Sequence, residues 1–78
     1  MTKILLVEDD KSIVRNLSDF LKSEGYSVHS VSGQAAAIAE VEKNHYDLLL
    51  LDISLADGNG FAVCSAVKSI SDTPVIFL

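Results

Sequence analysis

Glu8, Asp9 and Asp10 follow directly on the apolar run Lys3 to Val7, and Asp52 follows directly on the four leucines Leu48 to Leu51. Both runs have the length and apolar character of strands, so each reads as a strand that carries carboxylates to its C-terminal tip. The leucine run is bounded by Asp47 and Asp52 and is far too short for a membrane span, which fits a strand buried on both faces. In a parallel sheet all C-terminal tips share one edge. If the two strands are neighbours, Asp9 and Asp52 lie roughly one strand spacing, 4.8 Å, apart. Carboxylates that close raise the pKa of at least one of them unless a cation sits between them. An all-oxygen donor set with room for water suits Mg²⁺ better than zinc or a caged calcium. The bland alternative makes Glu8 to Asp10 a solvated turn at a helix N-terminus, where acids are favoured by the dipole. Burying four leucines to place Asp52 is a costly way to build a surface loop, and this weighs toward a site.

The elements that must position these acids alternate in type. Lys11 to Ser23 carries Ile13, Val14, Leu17, Phe20 and Leu21 at helical spacing, with Asp10 or Ser12 as the cap and Gly25 as the stop. Tyr26 to Val31 reads as a weaker, partly exposed strand, and Tyr26 is placed over the end of the first helix. Gln34 to Lys43 is an Ala-rich helix expected to pack through Ala35, Ile38, Val41 and Ala39. Asn44 to Tyr46 is the loop into the leucine strand. A third helix capped by Asn59 presents Phe61, Val63, Cys64, Val67 and Ile70 on one face. Val75 to Leu78 opens a fourth strand after the Ser71-Asp72-Thr73-Pro74 turn. Phe20, Phe61 and Phe77 are expected in the core. Strand and helix in strict alternation predict a parallel sheet with helices on both faces. Periodicity does not give the strand order.

Composition narrows the function classes. At 78 residues the chain is at most one domain, and 49% hydrophobic residues exclude disorder by composition. A formal charge of −5, with six scattered Lys and Arg, disfavours direct nucleic-acid binding. Cys64 alone forms neither a disulfide nor a thiolate metal site, and reads as packing. His29 and His45 lack a second ligand at metal spacing. Without a signal peptide or an apolar run of span length, a soluble cytoplasmic protein with no membrane contact is the default.

Ile4 to Asp10, then Asp47 to Asp52, then Leu55 and Asp57-Gly58-Asn59-Gly60, then Thr73-Pro74-Val75-Ile76, together resemble the CheY-like receiver domain of two-component response regulators. The resemblance implies a flavodoxin-like doubly wound α/β sheet of order 2-1-3-4-5, of which β1-α1-β2-α2-β3-α3-β4 is present here. Residues 1–78 would then be the N-terminal two thirds of a receiver, without its last helix-strand-helix. It further implies that Asp52 is the phosphoacceptor for a phosphohistidine of a sensor histidine kinase. Mg²⁺ would be held by Glu8, Asp9, Asp52 and the backbone carbonyl of Ser54, and the Ser54 side chain would flank the phosphoryl group. Gly58 and Gly60 would let the adjoining loop turn tightly. Receivers of this kind act on themselves, not as enzymes on other substrates, and switch an output such as transcription regulation.

Two departures from the family pattern stand out. Ala56 occupies a position where proline is usual. The Ser or Thr past the fourth strand and the Lys of a fifth strand, both phosphate-site groups in the family, are not among these residues. An apolar fourth-strand edge is then expected to promote self-association. A non-phosphorylated interaction or assembly fragment is accordingly the alternative function. An aspartyl phosphatase is disfavoured because Ser54, not Asp, stands two residues after Asp52. Dinucleotide binding is disfavoured because Gly58-Asn59-Gly60 follows the wrong strand.

Overall fold

A computed structural model describes residues 1–55 and 57–78. In chain order the elements are β1 (Lys3–Val7), α1 (Lys11–Ser23), β2 (Ser27–Val31), α2 (Gln34–Lys43), β3 (Leu48–Leu51), α3 (Gly60–Ile70) and β4 (Val75–Phe77). The four strands form one sheet of order β2-β1-β3-β4, every pairing parallel. This makes β1 and β3 neighbours, in register from Ile4 opposite Leu48 to Val7 opposite Leu51.

Two helices cover one face of the sheet. Leu5, Val7, Leu49 and Leu51 pack there against Ala37 and Val41 of α2 and Val63 and Val67 of α3. On the other face Ile4, Leu6 and Leu50 pack against Val14, Leu17 and Leu21 of α1, with Val28 and Leu48 beside them. The leucine strand is therefore buried on both sides, as a central parallel strand requires.

Local chemistry explains the helix ends. The Asp10 carboxylate accepts from the backbone N–H groups of Ser12 (2.9 Å) and Ile13 (3.1 Å), taking up donors that a helix start leaves unpaired. At the other end Gly25, at φ +93°, lets its own N–H reach the Lys22 carbonyl and the Tyr26 N–H reach that of Leu21. The Asn59 side chain caps α3 by accepting from the Ala62 N–H at 2.8 Å.

Four packing expectations are corrected. Phe20 (59% exposed), Phe61 (61%) and Phe77 (37%) lie outside the core. Phe20 and Ile13 occupy one flank of the α1 stripe, and a single helix about 10 Å wide spans only about two strands at 4.8 Å spacing. That flank and Ile76 on the same face consequently stay exposed. Phe61 and Phe77 instead pair with each other at the rim, their ring centroids 5.4 Å apart. In α2 the buried positions are Ala37 and Val41, with Ile38 half-buried beside them, while Ala35 and Ala39 lie on the opposite side of the helix and face solvent. In α3, Ile70 is likewise exposed. Tyr46, expected in a plain loop, is buried: its hydroxyl donates to Glu40 at 2.6 Å and Lys3 Nζ lies 5.2 Å from its ring centre.

Candidate functional site

The ladder of the central strands continues one step past their ends. The Asp52 N–H donates to the Val7 carbonyl at 2.9 Å, and the Glu8 N–H donates to that of Val31 at 3.1 Å. Strand pleat then fixes where the acids point. Glu8 follows the Ile4-Leu6 series and Asp52 follows Leu50, so both belong to the α1 face of the carboxyl edge. Glu8, Asp9 and Asp52 each offer a carboxylate oxygen within 4.8 Å of the others. An open cleft of about 470 Å³ lies over them, walled by Ile13 and Leu17 of α1 and by Leu78.

The neighbouring acids have different environments. Glu8 is buried, and burial pushes its carboxyl above the ordinary value; the charges of Asp52 and Asp9 push the same way, against a hydrogen bond from the Asp10 N–H at 3.0 Å. Asp9 is exposed and Asp52 half-buried, one of its oxygens accepting from the Ser54 N–H at 3.3 Å. Asp10 turns to the helix it caps and is not in the cluster.

The loop after Asp52 folds back on it. Ser54 makes an antiparallel bridge with Asn59, the Gly60 N–H donates to the Ile53 carbonyl at 2.7 Å, and buried Leu55 anchors the loop in the core. Gly58 has φ +88°, a conformation suited to glycine. At Gly60 the reason is different: a Cβ there would be driven into the Asp52 carbonyl oxygen. The first turn of α3 thus abuts the backbone of the acid itself. Ala56, which departs from the usual proline, lies outside the described residues.

Of the expected site residues, the fold brings Glu8, Asp9 and Asp52 together, with Ser54 two residues beyond on the adjoining loop. Gln34 was not marked by any pattern, being a lone polar residue opening an Ala-rich helix, yet it touches this loop. The donor set fits Mg²⁺: three hard oxygens converge, one buried carboxylate is held against its own ionisation, and the cleft leaves space for water.

A parallel α/β domain of this strand order, with an acid cluster at the carboxyl edge of β1 and β3, has the CheY-like flavodoxin fold. The chain belongs to the response regulator receiver domain family, whose family model matches residues 4–78. It is 36% identical over its whole length to the sensory transduction protein RegX3 of Mycolicibacterium smegmatis, of which it covers 34%. It spans about a third of the length of the curated relatives it matches. Among solved structures, a two-component response regulator from Clostridium difficile superposes with a TM-score of 0.94 at 32% identity, over 99% of this chain and 64% of that one. The response regulator TrrA from Thermotoga maritima, solved in complex with Mg²⁺-BeF, gives a TM-score of 0.92 at 27% identity, over 99% of this chain and 68% of that one. Among the described residues no helix is long and apolar enough to cross a membrane.

Proposed function

We propose that this chain is the phosphoacceptor part of a two-component response regulator, with Asp52 as the accepting carboxylate. The convergence of Glu8, Asp9 and Asp52 at an open cleft carries this reading. Glu8, Asp9 and Asp52 would hold Mg²⁺ together with the Ser54 carbonyl; the convergence of the three carboxylates supports the site, and the similar TrrA solved with Mg²⁺-BeF supports the choice of metal. Bound Mg²⁺ supplies charge neutralisation for the crowded carboxylates and for phosphoryl oxygens.

The remaining work belongs to the chain. An Asp52 oxygen attacks the phosphorus of a phosphohistidine on a sensor histidine kinase; the P–N bond breaks, its electron pair stays on the imidazole nitrogen, and an aspartyl phosphate forms. The backbone bond from Asp52 to Val7 and the Ser54 N–H on the Asp52 carboxylate hold the nucleophile in one orientation. The exposed Ser54 side chain flanks the phosphoryl group and bears on how fast water removes it in self-dephosphorylation. Residues 1–78 then correspond to the β1 to β4 part of a cytoplasmic receiver that switches an output, with transcription regulation as one class. The acidic surface does not itself bind nucleic acid.

Acetyl phosphate with Mg²⁺ should place one hydroxylamine-labile phosphoryl group per chain, read by intact-mass spectrometry, and EDTA should suppress it. Labelling that persists undiminished in EDTA would sink the metal-dependent reading.

The second reading is self-association, favoured by the exposure of Ile76 and Phe77 of β4 and of Leu78 next to them. It predicts a sedimentation coefficient that rises with concentration. A constant monomeric value would remove it.

A further inference from the structure

We infer that Gln34 is a positioning residue for the Asp52 loop, a role that rests on the phosphoacceptor reading and refines it. Helix α2 begins at Gln34, and its cap residue Gly33 offers no side-chain acceptor. The orphan N–H of Gln34 is satisfied from outside the helix, by the Asp57 carbonyl at 2.8 Å. The side chain returns the bond: Gln34 Oε1 accepts from the Asn59 N–H at 3.2 Å. Loop and helix therefore cap each other.

The fit between them is close. A Cβ at Gly58 would collide with the Gln34 side chain, and one at Gly33 would come within 2.8 Å of Asp57 Oδ2. The amide that Gln34 holds belongs to Asn59, whose residue also bridges Ser54 and caps α3 through Ala62. One residue later Gly60 rests on the Asp52 carbonyl. Gln34 thus fixes the returning limb of the loop, and that limb fixes Ser54 and the backbone of Asp52. Part-buried Gln34 is bonded to Asp57 and Asn59 and acts on Asp52 through the loop that carries them.

The test compares the protein with its Gln34→Met and Gln34→Glu variants by amide hydrogen exchange and by titration with Mg²⁺ alone. Methionine keeps length and helix propensity but lacks the acceptor, whereas glutamate keeps an oxygen for the Asn59 N–H. In Gln34→Met the amides of Ser54 and Gly60, as well as Asn59, should exchange about tenfold faster while those of Leu5 and Leu49 keep their rates. Mg²⁺ affinity should fall about tenfold, the lower end for loss of an outer support to a metal site. Gln34→Glu should retain the wild-type protection. If only the Asn59 amide quickens, or if glutamate behaves as methionine does, Gln34 makes a local surface bond and the inference is overturned. If the methionine variant fails to fold, glutamate and wild type are compared alone, and lost protection of Ser54 and Gly60 in the glutamate variant overturns it. Should wild type bind no Mg²⁺ at all, the phosphoacceptor reading is what fails, and the exchange pattern alone decides the role of Gln34.

Discussion

Asp52→Asn is expected to lower acetyl phosphate labelling to below about one-hundredth of wild type, since removal of a reacting nucleophile is among the costliest changes a phosphoryl-transfer site can suffer. Asparagine keeps the size of the side chain and an oxygen that can accept from the Ser54 N–H, so the loop is preserved. What is lost is the anionic oxygen. Asp52→Glu separates charge from position. It keeps the carboxylate and so should keep Mg²⁺ binding, but it moves the attacking oxygen by about one methylene. A displacement on the order of 1 Å can cost about 10²-fold where in-line geometry is required. Labelling of the asparagine variant at the wild-type rate, located by peptide mapping, would mean that another residue is the acceptor.

Glu8→Gln should have two opposite effects. Glu8 is buried with two other carboxylates within 4.8 Å, and its folded-state pKa is raised. A carboxyl raised in the folded state favours folding below its unfolded pKa, and that contribution is lost as pH rises through the folded value. At neutral pH the ionised group is therefore a cost to the metal-free fold. The neutral amide removes that cost and still accepts the Asp10 N–H. Metal-free Glu8→Gln should melt higher than wild type at pH 7, with the gain shrinking toward pH 4. Mg²⁺ should reverse the order. At 100 times its dissociation constant a ligand stabilises by about 2.7 kcal/mol, and a variant lacking one ligand should require at least about tenfold more Mg²⁺ for the same shift. Thermal melts across pH with and without Mg²⁺ measure both effects. A wild-type chain that gains nothing from Mg²⁺ while the variant melts at the same temperature would remove Glu8 from the site.

Much of the fold was legible because it is written in local signals. Ile4 to Val7 and Leu48 to Leu51 are uninterrupted apolar runs that no solvent-exposed segment could carry, and both lie in strands. Asp10, Gly25 and Asn59 act as helix punctuation through bonds spanning only a few residues. The aromatic residues depart from expectation for the converse reason. Whether Phe20, Phe61 or Phe77 is buried depends on what lies across from it, and its own periodicity carries no information about that. Tyr46 was missed likewise, since its partner Glu40 sits on the previous helix.

By itself the sequence determined the alternation of strands and helices and the placement of acids at two strand ends, because propensity, period and capping act between near neighbours. Tertiary structure decided that β1 lies beside β3, bringing Glu8 and Asp9 to Asp52. It also turned Asp10 away to cap α1 and set Gln34 against the loop that carries Ser54. These depend on pairings between residues far apart in the chain, made when burial of the leucine strand on both faces selects one arrangement of the sheet.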